Sequence, residues 1–450
     1  MYSCPSAGPD AFQSTTLCPP AVALCCPINL TTVTSRPLHA VQFPPAAGER
    51  MLSALAAALD GTGPAILPLD PDLPEPALAR ILTSLAPAAL HTIKGTKPLD
   101  LAAARPPAAA AVRRDGVRDD TAVVLATSGS TGAPKAVELS AAALTASASA
   151  SLRHIGAGPG ERWLCCLPAF HIAGIGVLVR SLIAGLEPVI VPAVTPEILA
   201  ASGCVHVSMV PTQLRRLLDA GASPGRVGTV LLGGAASSDG LLAQARAGGW
   251  RVVTTYGMSE TCGGCVYDGV PLDEVSVRLG AAVSGADAAV SDADAGQIQI
   301  SGPVLFSGYL GQPDLTAAAL RDGWFRTADL GWWRADGTLG VRGRADDVIN
   351  TGGEKVVPGE VEAVLGTCEG VADVVVIGMP DAEWGEAVTA FVVAADPADP
   401  PDLERLRSQV REAVSVYAAP KRVVLMPEFP LLPSGKPDRL ALRHMGIQGA

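Results

Sequence analysis

Nine consecutive residues, Thr127-Ser-Gly-Ser-Thr-Gly-Ala-Pro-Lys135, bring together hydroxyls, glycines and a lysine. Gly129 and Gly132 let backbone amides come close to an anion, and Thr127, Ser128, Ser130 and Thr131 add donors or, at Thr131, a metal ligand. Lys135 adds positive charge. The apolar run Ala122–Ala126 before the stretch reads as a buried strand, and an Ala-rich helical segment begins at Ser140. A phosphate cradle fits this layout. A P-loop of the Walker type does not, because Lys135 lies between Pro134 and Ala136 and not in an unbroken Gly-Lys-Ser/Thr.

Further chemistry lies downstream. Leu231-Leu-Gly-Gly-Ala-Ala236 and Thr254-Thr-Tyr-Gly-Met-Ser-Glu260 each end a strand-like run in small residues. Ligands bind at the carboxyl ends of neighbouring parallel strands, and Gly233, Gly234, Ala235 and Gly257 leave room for a flat base. Tyr256 offers a stacking face, Met258 and Ser259 follow it, and Glu260 is an oxygen ligand suited to Mg²⁺. Asp329 can accept from two hydroxyls at once. Singly, Tyr256 reads as core packing and Asp329, Arg344 and Lys436 as charges on surface turns.

Together these segments resemble the adenylate-forming superfamily, which contains acyl-CoA synthetases, peptide-synthetase adenylation domains and luciferases. Thr127–Lys135 resembles its phosphate loop. Tyr256-Gly-Met-Ser-Glu260 resembles its adenine and metal motif, with Ser259 in place of the commoner threonine. Gly323-Trp-Phe-Arg-Thr-Ala-Asp-Leu-Gly331 is similar to its ribose motif, which implies that Asp329 binds the ribose hydroxyls with Arg344 in support. Asp346 matches its hinge residue. Asn350-Thr-Gly-Gly-Glu-Lys-Val356 matches the loop along which a pantetheine arm passes, with Gly352 and Gly353 as its thin face. Pro433-Ser-Gly-Lys-Pro-Asp-Arg439 matches its catalytic-lysine motif, so the resemblance makes Lys436 and Glu260 the catalytic pair. It implies ATP, Mg²⁺ and coenzyme A as reactants and helpers, and a thioester made through an acyl-adenylate.

The acid is indicated by Leu167–Gly185, a loop and then a helix apolar on every side whose one charge is Arg180. A buried guanidinium needs an anion, supplied by the protein or by a second carboxylate on the substrate. Cys204-Val-His-Val-Ser-Met-Val-Pro-Thr-Gln-Leu-Arg-Arg-Leu-Leu218 is similar to the matching segment of the o-succinylbenzoate–CoA ligases of menaquinone biosynthesis. That resemblance implies that Arg180 and Ser208 hold the carboxylate that is not activated, with His171 at the pocket mouth. Another carboxylic acid, or a catalytically silent nucleotide-binding relative, is the alternative.

To position these residues, strand and helix patterns alternate from His39 through Arg251–Thr255. This implies an α/β fold, with mostly parallel sheets and helices on their faces, in a large N-terminal domain. After Asp336-Gly337 the texture changes, and residues 346–450 read as a small mobile α+β C-terminal domain. Residues 37–345 form the large domain, somewhat shortened at its start. Residues 1–36, with four cysteines and no periodicity, read as a disordered leader.

Composition sets the outer limits. A chain of 450 residues can bury a large core, and a formal charge of −11 argues against nucleic acid as the main partner. No apolar run is long enough to span a membrane. Ten scattered cysteines fit a reduced, cytoplasmic protein. Cys262-Gly-Gly-Cys265 has neither a second CxxC nor a His pair to complete a zinc site. A homo-oligomer is left open, and the partners are a small carboxylate, ATP and coenzyme A.

Overall fold

The computed structural model describes residues 35–99, 116–127, 135–280, 295–432 and 435–448. Its first sheet runs in the order Gly308–Tyr309, Lys135–Ser140, Thr121–Thr127, Ala65–Pro68, Leu38–Gln42, Ala89–Thr92, Gly95–Pro98. The inner pairings from Thr121–Thr127 to Ala89–Thr92 are parallel and the outer ones antiparallel. The second sheet runs Val189–Ile190, Trp163–Cys165, His206–Met209, Thr229–Leu232, Val252–Met258, Gly263–Tyr267, Val270–Pro271. It is parallel as far as Val252–Met258. The expected alternation of strands and helices therefore holds.

Helices Ala141–Ile155 and Ile172–Ala184 are buried on this framework, and one hydrophobic core runs from Leu125 and Leu139 of the first sheet through Leu144 and Ile175 to Val253 and Val266 of the second. Local chemistry sets their limits. Ser140 caps the first helix by accepting from Ala143 N at 3.1 Å, and Gly156 ends it in the left-handed region. Pro168 O would stand 2.2 Å from a Cβ on Gly174, so only glycine lets the second helix start where it does.

A third sheet, Ser276–Gly280, Ala295–Ser301, Trp324–Trp333, Leu320–Arg321 and Leu339–Arg344, is antiparallel throughout. The fourth uses only residues from Ile349 onward: Glu354–Val356, Ile349–Thr351, Gly385–Ala394, Val371–Asp381 and Arg422–Met426, covered by helices Pro358–Leu365, Leu403–Ala413 and Arg439–Gln448. This is the small C-terminal module read from the sequence.

The helix expected from Ser140 is present as Ala141–Ile155. Between the loop and this helix the strand Lys135–Ser140, not foreseen from the sequence, returns antiparallel to Thr121–Thr127 with Lys135 opposite Thr127. Glu138 interrupts the apolar pattern of that strand, yet it is buried and accepts from Thr121 Oγ1 at 3.3 Å. One correction concerns the leader, whose last two residues, Ser35 and Arg36, pair with Val117–Arg118. The Arg36 guanidinium is buried on the carbonyls of Ala57, Gly63 and Thr121. Residues 1–34 lie outside the described residues.

Candidate active site

Strands Thr229–Leu232 and Val252–Met258 lie side by side and parallel, so Gly233, Gly234 and Ala235 leave the sheet beside Tyr256, Gly257 and Met258. Close packing requires glycine at two of these positions. A Cβ on Gly233 would meet Thr255 Oγ1 at 2.1 Å, and one on Gly257 would meet Gly263 O at 2.0 Å. Ser259 and Glu260 form a short turn whose entry is fixed by Met258 N donating to Thr261 Oγ1 at 2.9 Å.

Asp329 is 8% exposed on strand Trp324–Trp333, opposite Arg344 in the register. It accepts from Tyr256 Oη at 2.7 Å and pairs with Arg344 Nη1 at 3.4 Å, while Arg344 Nη2 holds Asp346 at 2.7 Å. Burial raises the Asp329 carboxyl, against the opposing pull of Tyr256, Arg344 and Lys436. Four separated segments thus meet at one carboxylate. The Tyr256 hydroxyl is engaged with Asp329, an interaction the stacking role read from the sequence does not include.

Lys436 comes to the same place from the C-terminal module. Thr212 Oγ1 donates to Gly435 O at 3.1 Å, and a Cβ on Gly234 would stand 3.5 Å from Lys436 Cε. The side chain is open to solvent but stands in a cleft crowded by protein. Desolvation lowers its pKa, Asp329 pulls it back up, and Arg344 adds to the lowering. His171, whose buried Nε2 has no partner, is pulled down by desolvation first and by the Lys436 charge second.

Glu260 accepts from Tyr309 Oη at 3.0 Å, and Lys135 Nζ stands 5.7 Å from the centre of the Tyr309 ring. Tyr309, on a two-residue strand paired to Lys135–Ser140, therefore joins the two ends of the phosphate region. Nothing in the sequence singled it out; a tyrosine in a Gly-Tyr-Leu turn looks like ordinary packing. Thr127 Oγ1 donates to Lys135 O at 3.2 Å. Ser128, Gly129, Ser130, Thr131 and Gly132 lie outside the described residues.

Arg180 is 8% exposed and donates from Nη2 to Ser208 Oγ at 2.9 Å. Among the described residues its Nε has no partner and no carboxylate pairs with it. A guanidinium buried with one hydroxyl is an incomplete anion site.

A family model for AMP-binding enzymes matches residues 49–310, and one for the AMP-binding enzyme C-terminal domain matches residues 360–436. The chain belongs to the AMP-binding enzyme family. The enzyme is 44% identical over 342 residues to a probable 2-succinylbenzoate–CoA ligase of Mycobacterium tuberculosis, covering 72% of this chain and 85% of that one. With the 2-succinylbenzoate–CoA ligase of Listeria monocytogenes it shares 35% over 330 residues, covering 72% and 70%. Its fold is similar to that of o-succinylbenzoate CoA synthetase from Bacillus subtilis in complex with its acyl-adenylate intermediate, at a TM-score of 0.74, 26% identity and 91% and 89% coverage. ATP-bound MatB from Rhodopseudomonas palustris is similar at a TM-score of 0.76, 26% identity and the same coverage. The enzyme is an adenylate-forming ligase with a large and a small domain.

Not every residue read as part of this enzyme's site is gathered there. Gly352 and Gly353 are exposed on the hairpin Ile349–Val356, where Gly352 N donates to Trp384 O at 2.7 Å. No described bond ties them to the Asp329–Lys436 cluster. Cys262 and Cys265 are buried free thiols; burial raises both, Cys265 to about 12, which leaves them poor nucleophiles. Among the described residues no group of three or more His, Cys, Asp or Glu could hold a metal, and no helix is long and apolar enough to cross a membrane.

Proposed function

We propose that this enzyme joins 2-succinylbenzoate to coenzyme A in menaquinone biosynthesis, working in the cytoplasm. The observation that carries the substrate is Arg180, a buried cation bonded to Ser208 and left without a carboxylate. The names of the curated relatives support the same acid.

A thiol cannot displace oxide from a carboxylate directly, because oxide is too poor a leaving group. In the first half-reaction the substrate carboxylate oxygen attacks the α-phosphorus of ATP, the bond to the β-phosphate breaks, and pyrophosphate leaves. Lys436 bridges the carboxylate and the α-phosphate and stabilises the charge that builds there. Asp329 takes the ribose hydroxyls, with Tyr256 and Arg344 holding its two oxygens, and Gly233, Gly234 and Ala235 bound the adenine. Thr127 and Lys135 with the residues between them cradle the outer phosphates.

The Glu260 carboxylate, a hard oxygen donor oriented by Tyr309, suits magnesium. With the Thr131 hydroxyl it would hold the ion, which when bound neutralises charge on the departing pyrophosphate. In the second half-reaction the small domain turns about Asp346, Lys436 withdraws, and Gly352 and Gly353 line the path of the pantetheine. The coenzyme A thiolate attacks the acyl carbonyl, the anhydride bond breaks, and AMP leaves.

The test is pyrophosphate release with ATP, Mg²⁺ and 2-succinylbenzoate, with benzoate as the monocarboxylate control, in wild type and Arg180→Ala. Release should require both the second carboxylate and Arg180, with a loss of at least about a hundredfold in kcat/KM for the variant. Equal release from both acids, indifferent to the arginine, would remove the named substrate and leave an adenylating ligase of another acid.

A further inference from the structure

The free protein must hold Arg180 ready without an anion, and the surroundings of the guanidinium supply the means. Arg180 follows Gly176 by one helical turn, and a Cβ there would stand 3.4 Å from Arg180 Nη1, so the glycine leaves the side chain room. The guanidinium carbon lies 4.4 Å from the centre of the Trp163 ring. Trp163 is 1% exposed on strand Trp163–Cys165, directly opposite His206 in the parallel register, and Ser208 stands opposite Cys165. The indole and the His206 imidazole are 4.8 Å apart, and His206 Nε2 bonds Glu161 Oε2 at 2.9 Å. The ring under the arginine is thus held by its strand, by His206 and, through it, by Glu161.

Trp163 Nε1 is buried with no hydrogen-bond partner among the described residues. A buried donor left unpaired costs its desolvation, and phenylalanine would fill most of the same space without that cost. What phenylalanine does less well is attract a cation, since the indole face is the strongest of the aromatic platforms and gains further when water is excluded. The residue present carries the cost of an unpaired donor and is the better one for a guanidinium.

We propose that Trp163 is a positioning residue for the acid-binding pocket. Its indole face holds the Arg180 guanidinium beside the Ser208 hydroxyl, and the pocket thereby discriminates in favour of acids with a second carboxylate. This rests on the reading that Arg180 receives that carboxylate.

The test compares kcat and KM for 2-succinylbenzoate and for 4-oxo-4-phenylbutanoate, the same acid without its ring carboxylate. It uses wild type, Trp163→Phe, Trp163→Leu and Arg180→Ala, with the thermal midpoint of each. Trp163→Phe should keep or raise the midpoint while raising KM for the dicarboxylate about three- to fivefold, and Trp163→Leu should raise it about thirtyfold. The KM for ATP and the constants for the monocarboxylate should stay near wild type. Should Trp163→Leu not fold, the phenylalanine variant decides. If Arg180→Ala abolishes the preference while Trp163→Phe leaves it at the wild-type value, or lowers both acids in step with stability, the inference is overturned and the substrate reading stands. If Arg180→Ala keeps the preference, the substrate reading itself has failed.

Discussion

In the first half-reaction as proposed Lys436 must be charged when ATP arrives, yet it stands where protein crowds out part of its hydration. Its pKa is lowered by that desolvation, with Asp329 opposing and Arg344 adding to the shift. At low pH the ammonium is present, and as pH rises through the lowered pKa it is lost sooner than from an ordinary lysine. The kcat/KM for ATP, which reports the free enzyme, should therefore fall on its alkaline side below the usual lysine range. Lys436→Arg, if active at all, should lose that limb, because a guanidinium does not titrate there. An unchanged limb in the arginine variant would assign it to another group. At Tyr309 the effect is on Glu260: Tyr309→Phe removes a hydrogen bond to a carboxylate, and kcat/KM for ATP should fall about tenfold, with a raised magnesium requirement. Residues inside long motifs were legible because several types must recur at fixed spacing. Tyr309 and Trp163 were not, nor was the bond Thr212 makes from inside its motif, since each acts through a partner far away in the chain that only folding supplies.

Most strands and helices of the two parallel regions and of the small domain could be read from apolar runs bounded by glycine and proline, but not the strands Leu38–Gln42 and Ala89–Thr92, the hairpin Ile349–Val356 or the last helix Arg439–Gln448. The third sheet could not. Its strands carry alternating polar residues such as Arg278, Gln297 and Gln299, and the Arg278–Gln299 bond at 2.9 Å shows how those side chains pair across strands. The return strand Lys135–Ser140 was hidden in the same way by Glu138. Where neighbouring strands touch closely, substitution has a definite outcome. Gly233→Ala puts a methyl group about where Thr255 Oγ1 now sits, so the loop at the adenine site must move. The variant should raise KM for ATP by about tenfold, and Thr255→Ala in the same chain should restore most of the loss by removing the hydroxyl. Thr255→Ala alone should change KM little. A double variant no better than Gly233→Ala, read by steady-state kinetics, would show that the loop and not the hydroxyl sets the constraint.

At the scale of the whole molecule, the two domains are joined here at Lys436. Thr212, at the start of helix Pro211–Asp219 in the large domain, bonds the carbonyl of Gly435, and a Cβ on Gly435 would meet Val210 Cγ2 at 2.8 Å. The residue before the lysine is thus tied to the large domain and the lysine reaches the Asp329 cluster, whereas Gly352 and Gly353 remain with Trp384 on the small domain's own sheet. Under the proposed mechanism this arrangement fits acyl-adenylate formation and not thiol attack. The half-reactions should therefore separate under mutation. Lys436→Ala should lower pyrophosphate release by about a hundred- to a thousandfold, the effect of losing one donor aimed at developing charge. Thioester formation from supplied acyl-adenylate should change little, because in the proposed second half-reaction the lysine has left the site. Thr212→Val should lower adenylation only about fivefold, since it weakens the docked arrangement by one neutral hydrogen bond and leaves the lysine in place. Rapid-quench measurement of each half-reaction distinguishes these cases. If Lys436→Ala slowed both half-reactions equally, the lysine would be supporting the shared fold of the cleft, and the docked arrangement would carry no assignment to the first step.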